Sequence, residues 1–313
     1  MIRGILLNNS VRRSLRNLSS SAVLFNSVVP LDLTPDAAKS NPNSIHPIHR
    51  KHPDDRETIL QQYLSSGKFT FAKDKEVASL QELKRCMEIV YLNKKPLIAI
   101  DFEAYERSLK KVTEIGIVIY DPDLSKGSIF PIIKTFHIII AEHIELVNGR
   151  YVPDSKDKYI GGLSNVLSLS DSKIFMEQII EKYINQREGA FVGHNIGGDI
   201  RWLQGMGIQI REDIEIVDTF KLYQISRSIG GTLKGILKLI DLPHGVLHNA
   251  ANDAYYTLLA AIAYCDPNMR NHKDLDTYKT VAKKSTSEKR RESFATSAIY
   301  DDVTKVDELL TGI

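Results

Sequence analysis

Five short apolar runs in the middle of this 313-residue chain constrain its fold more than any other feature. Leu97-Ile98-Ala99-Ile100, bounded by Pro96 and Asp101, has the length and punctuation of a buried strand. Residues 115–120 read as a second strand and 132–140 as a third, so the sheet begins as a meander. Residues 148–170 are polar and glycine-containing and are expected to form a loop. Helical and strand patterns then alternate. A helix over 171–185 carries Ile174, Phe175, Ile179, Ile180 and Tyr183 as its apolar stripe. It is followed by a strand at 190–193, a helix at 199–206, a strand at 214–217, and helices at 219–226, 232–240 and 251–265. That order predicts an α/β domain over 93–265, a mixed sheet flanked by helices.

The flanks read differently. Residues 32–53 are rich in Pro, Asn, Ser and His and suit a linker, so 32–92 is read as linker plus two helices. One helix runs from Asp54-Asp55 to about residue 64; the other spans about 75–91, with Val77, Leu80, Leu83, Met87 and Val90 on one face. From Asp266 the chain turns polar, and 266–313 is expected to be a flexible tail with a short helix near 301–310. Residues 1–31 hold Arg3, Arg12, Arg13 and Arg16, several serines and no acid. An Arg-rich, acid-free leader predicts a mitochondrial transit peptide and a matrix location. A basic tail on a nuclear or cytoplasmic protein is the alternative.

Composition removes several classes. With 42% hydrophobic and 26% charged residues and a formal charge of +2, the chain is neither wholly disordered nor overtly polybasic. Its 2 cysteines form no Cys-x-x-Cys pair, which argues against a disulfide framework or a thiolate zinc site. Apolar stretches fall short of the ~20 residues of a spanning helix, so no membrane insertion is expected.

Chemistry is carried by three elements. Asp101-Phe102-Glu103 closes the first strand, where residues i and i+2 share a face. Two carboxylates held that close repel unless a cation lies between them, and hard oxygen ligands suit Mg²⁺ or Mn²⁺. With 39 acids in the chain, such a triplet is a weak signal by itself. The second element, Gly193-His194-Asn195-Ile196-Gly197-Gly198-Asp199, runs from a strand end into a helix start. Asn195 stands where it would cap that helix, Asp199 falls in the first turn, and His194 reads as a buried turn histidine. In the third, His248-Asn249-Ala250-Ala251-Asn252-Asp253, the two named ends would diverge by ~140° on one helix. A histidine in the preceding loop with Asp253 just inside the helix fits better.

In this order, and with Val112-Thr113-Glu114-Ile115-Gly116 and Val217-Asp218-Thr219 between them, the elements resemble the DEDDh 3′–5′ exonuclease superfamily over about residues 95–262. The likeness is closer to a poorly characterised fungal branch than to oligoribonuclease. It implies a ribonuclease H-like fold, with Asp101, Glu103, Asp199 and Asp253 as ligands of two divalent ions and His248 as general base. Two ions ~4 Å apart can stabilise the attacking and leaving oxygens of an in-line displacement at phosphorus. The implied products are 5′-mononucleotides from the 3′ end of single-stranded RNA or DNA, with RNA slightly favoured.

The chain departs from the family pattern in places. Ala104-Tyr105-Glu106 stand where relatives carry small or hydroxylated residues, Gly198 where a bulky apolar residue is common, and 148–170 has no counterpart. Tyr105 is read either as a base-stacking residue or as an ordinary packed tyrosine, and Asn195 as a substrate contact. Lys110 and Lys111 are read as a solvated loop ahead of phosphate contacts, Glu114 and Asp218 as structural. The competing function is a nucleic-acid-binding adaptor that keeps the fold without turnover. An internally cutting ribonuclease H-like nuclease fits less well, because the His-x₄-Asp element belongs to the exonuclease arrangement.

Overall fold

A computed structural model describes residues 53–281 apart from 73, 130 and 229. The expected leader, most of the linker and the terminal helix near 301–310 lie outside the described residues.

Strand β1 (Leu97–Tyr105) pairs antiparallel with β2 (Ser108–Tyr120), and β2 pairs antiparallel with β3 (Ile133–Ile140). The short β4 (Asn165–Leu167) lies parallel to β3. On the other side β5 (Ala190–Gly193) is parallel to β1, and β6 (Glu215–Asp218) to β5. The sheet order is therefore β4-β3-β2-β1-β5-β6, a meander extended by parallel crossovers. β4 falls inside the stretch expected to be loop. Three residues on a sheet edge leave too short a pattern to see.

Both faces of the sheet are covered, which is why the central strands read as unbroken apolar runs. Leu97, Ala99, Val118, Ala190, Val192 and Val217 pack against α2 (Glu76–Val90), α5 (Thr219–Ile225), α6 (Leu233–Leu239) and α7 (Ala250–Tyr264). Their strand neighbours Ile98, Ile100, Ile115, Ile117 and Phe191 face α3 (Leu169–Ile179), its π-helical continuation Ile180–Asn185, and α4 (Gly197–Gly205). Within the predicted stripes, Val77 is 72% and Ile174 51% exposed. Most of the rest of each stripe is inside: Leu83, Met87 and Val90 are buried in α2, joined by Cys86, and Ile179, Ile180 and Tyr183 in α3 and its continuation, joined by Met176.

The compact body is wider than the sequence pattern suggests. Leu60 and Tyr63 of α1 (Pro53–Leu64), with Phe69 and Phe71, belong to the same core as α7. Nor does order end at residue 265. Helix α8 (Pro267–His272) follows, and Arg270 is fully buried within it. The Arg270 guanidinium donates to Tyr264 O (3.1 Å), Leu275 O (3.0 Å), Tyr63 Oη (2.9 Å) and Asp276 Oδ1 (3.0 Å). Tyr63 Oη donates in turn to Asp276, and single bridges join Thr70 to Thr277 and Arg227 to Lys279. A polar composition hid this segment because a buried ion network, not an apolar stripe, holds it. Residues 282–313 lie outside the described part.

Candidate active site

β1 carries the first two carboxylates out of the core. Beyond Ile100 its burial alternates, with Phe102 and Ala104 inside and Asp101, Glu103 and Tyr105 on the open face. Phe102 stacks on Trp202, ring centroids 6.1 Å apart, and anchors the strand from beneath. Across the ladder, Asp101 faces Gly116 and Glu103 faces Glu114. Lys110 and Lys111 are exposed on the outer part of β2.

α4 brings the third. Asp199 sits in its first turn, and its Oδ1 accepts a hydrogen bond from Phe102 N at 3.1 Å, which ties it to β1 between Asp101 and Glu103. The expected cap is not Asn195. The capping position is Ile196, without a side-chain bond, while Asn195 adopts φ +59° and its backbone N–H donates to Asp218 Oδ1 at 2.8 Å. The turn from β5 into α4 needs one left-handed residue, and Asn tolerates that conformation. The Asn195 side chain is left exposed beside the turn. Asp218 also caps α5 through Phe220 N, a structural duty. His194 is held by Thr219 Oγ1 (2.9 Å) and Gly231 O (3.1 Å), and burial lowers its pKa.

α7 supplies the rest. Asn249 caps it by accepting from Asn252 N, so His248 lies in the loop before the helix and Asp253 in its first turn. His248 has φ +61°, which aims its backbone N–H at Asp253 Oδ2 (3.1 Å). One ligand atom each from Glu103, His248 and Asp253 lie within 4.8 Å of one another.

Beneath this start of α7 is a polar network that the sequence pattern did not reveal. Glu114 Oε2 accepts from Ala250 N (3.4 Å) and Asn249 Nδ2 (3.3 Å) and lies 2.9 Å from His137 Nε2. His137 Nδ1 reaches Ser164 Oγ at 2.7 Å. The one visible signal is a histidine inside the apolar strand Phe136-His137-Ile138. Gly116 completes the seat. A Cβ there would lie 2.0 Å from Ala250 O, so only glycine lets β2 approach the α7 backbone.

Burial and mutual repulsion raise the acids. Asp101 and Glu103 are pushed well above the usual carboxylate range, first by burial and then by the Asp253 charge. Burial pushes Asp199 up to about 7 and Asp253 up to about 8. His248 is lowered by burial, with the Lys234 charge adding to it, which favours neutral imidazole. Among the described residues, Asp253 Oδ1 is buried with no hydrogen-bond partner. A crowd of carboxylates, half-buried at Asp101 and Glu103 and buried at Asp199, with an orphaned oxygen is what a divalent cation would relieve, and the oxygen-rich donor set fits Mg²⁺ or Mn²⁺.

Comparison with known proteins gives the family. Residues 96–264 match the family model described as the DNA polymerase III subunit epsilon-like, C-terminal domain, of the DEDDh type. The chain belongs to the DEDDh exonuclease superfamily, and its mixed sheet is the ribonuclease H-like fold. It is 37% identical to the uncharacterized protein YDR514C of Saccharomyces cerevisiae, over 64% of this chain and 47% of that one. Good for full DBP5 activity protein 2, from the same yeast, is 35% identical over 62% and 39%. An uncharacterized nucleolar protein of Schizosaccharomyces pombe, C2C4.08, is 32% identical over 51% and 65%. The chain thus spans less than two thirds of these relatives. A solved structure of exonuclease I covers 57% of this chain and 43% of its own, at 12% identity and TM-score 0.37.

Proposed function

We propose that the protein is a metal-dependent 3′–5′ exonuclease that releases 5′-mononucleotides from single-stranded nucleic acid, with RNA placed ahead of DNA. The observation that carries this reading is the convergence of Glu103, His248 and Asp253, with Asp253 Oδ1 buried and unpartnered among the described residues. Asp101, Glu103, Asp199 and Asp253 would hold two divalent ions, which when bound stabilise charge on the attacking and leaving oxygens of a phosphodiester. His248, kept neutral by burial, accepts the proton of the attacking water at a ring nitrogen. Its backbone N–H, bonded to Asp253, fixes where the ring swings from. Tyr105 shares the face of β1 that carries Asp101 and Glu103 and is assigned base stacking, with Asn195 as a second substrate contact.

The test incubates the protein with 5′-labelled single-stranded RNA and DNA, each with Mg²⁺, Mn²⁺ or chelator, beside Asp101→Ala. A metal-dependent ladder shortening from the 3′ end, absent in the variant, is the expected result. Binding without cleavage would favour the adaptor reading, which the DBP5-linked name of one relative suits. Retention of all four acids and the histidine speaks for the enzyme. We infer a mitochondrial matrix location from the Arg-rich, acid-free composition of residues 1–31. A full-chain fluorescent fusion that enters the nucleolus instead would overturn that placement.

A further inference from the structure

Two departures from the family pattern, Glu106 after the acids and the segment 148–170, are joined in the structure. The Glu106 carboxylate accepts from the backbone N–H groups of Gly149 (3.4 Å), Arg150 (3.0 Å), Tyr151 (2.7 Å) and Val152 (3.3 Å). Those bonds, that of Tyr151 foremost, hold its pKa below the usual carboxylate range. Asn148 adds two more ties, accepting from Glu106 N (2.9 Å) and donating to Ala104 O (3.0 Å). The far side of the segment is fastened to α7. Ile160 N donates to Asn252 Oδ1 (3.1 Å), and Asn249 Nδ2 donates to Ser155 O (3.1 Å). Lys156 is buried and closes the base by donating to Ile144 O (3.2 Å) and Leu146 O (2.7 Å).

The segment is therefore a fixed rim. It bridges the end of β1, which bears Asp101 and Glu103, to the start of α7, which bears His248 and Asp253. It lies near enough that Asp154 within it helps raise the Glu103 pKa. What this rim displays is not what a structural staple needs. Tyr151 is 56% exposed, and the guanidinium of exposed Arg150 lies 5.0 Å from its ring centre. The adjoining hairpin presents exposed Arg107, Lys110 and Lys111. An aromatic ring with a cation on one face can take a base on the other, and only unpaired bases offer that face. The neighbouring cations suit the phosphates that connect such bases.

We propose that Tyr151, backed by Arg150, is a base-stacking step for single-stranded nucleic acid leading to the acid cluster, positioned there by Glu106. This deepens the exonuclease reading and rests on it for the strand's direction.

The test measures affinity apart from turnover. Binding of a fluorescein-labelled 12-nucleotide single strand and its duplex to the full chain is followed by anisotropy in chelator, for wild type, Tyr151→Ala, Tyr151→Phe, Arg150→Ala and Glu106→Gln. Wild type should prefer the single strand. Tyr151→Ala should weaken it about tenfold, the phenyl ring of Tyr151→Phe should restore most of that, and Glu106→Gln should fall between. Arg150→Ala should also lower the salt dependence. Circular dichroism confirms that each variant is folded. Tyr151→Ala affinity within twofold of wild type, or no single-strand binding by wild type, overturns the proposal. Wild-type nuclease activity is scored separately. Its absence would remove the exonuclease reading while the binding series still decides the rim; its presence with unchanged Tyr151→Ala affinity would do the reverse.

Discussion

Gly116→Ala is the sharpest probe of how the site is assembled, because two effects predict opposite signs. In an isolated strand, replacing glycine with alanine is stabilising by roughly 0.5–1 kcal/mol through lost unfolded-state freedom. Here the added carbon would meet Ala250 O at 2.0 Å, Ala250 C at 2.2 Å and Ala251 N at 2.5 Å, all backbone. Ordinary contact begins near 3.4 Å, so the first turn of α7 must retreat by about 1.4 Å. Overpacking of this kind costs about 1–3 kcal/mol, which outweighs the entropic gain. The retreating turn carries Asp253, and a misplacement of ~1 Å costs about a hundredfold in rate. We expect a melting temperature lower by several degrees and nucleotide release lower by about 10²-fold. The divalent-ion-induced rise in melting temperature should shrink as well, which reads the site without relying on turnover. Gly205→Ala, where a Cβ would find nothing within 4 Å, is the control and should melt like wild type or slightly higher. A Gly116→Ala protein with wild-type melting and an undiminished ion response would refute the argument that this contact seats the site.

Asp101→Ala or Asp253→Ala should abolish turnover and raise the metal-free melting temperature, since each removes a buried repelling charge; retained activity in either would contradict the assignment. His248→Ala should lose rate by about 10²–10⁴-fold with divalent-ion binding intact, as a general base would, and isothermal titration with Mn²⁺ checks the second half. Metal-free stability should fall with pH, because Asp199 and Asp253 have folded pKa values raised to about 7 and about 8 against an ordinary 3.8. Their contribution is full below pH ~4 and is lost as the pH climbs through those values, at up to ~1.4 kcal/mol per unit for each carboxyl. Denaturant melts at pH 5 and pH 8, with and without Mg²⁺, should show a fall that the ion abolishes; a rise with pH in chelator would refute it. Arg270→Ala leaves Asp276 short of its buried partner and should cost about 3–5 kcal/mol by urea unfolding; a change under 1 kcal/mol would show the network carries little.

The sheet was legible because both its faces are buried, so Leu97 to Ile100 and 115–120 could hardly be read otherwise. The acids were legible because their spacing encodes direction: i and i+2 on β1, and a loop histidine five residues before a helical acid on α7. What escaped was held by long-range polar bonds. Arg270, Glu106 and Asn148 look like ordinary surface residues in sequence, and their partners lie 207, 42 and 44 positions away; His137 stands out in its apolar strand, but its partner Glu114 is 23 positions away. Asn195 misled for a local reason, since the residue that could cap a helix is also one of the few that tolerates the left-handed turn found there.

The bond between Tyr63 and Asp276 joins residues 213 positions apart. On the ribosome, at ~5–20 residues per second, α1 would wait roughly 10–40 seconds for its partner to be made. During that interval Leu60, Tyr63, Phe69 and Phe71 have no complete core to enter, and the nascent chain shows an apolar, aromatic surface. The network that seats α1 is therefore completed only once Arg270 and Asp276 have been made, and a chain cut at residue 264 would keep every proposed ligand while leaving Tyr63 without those two partners.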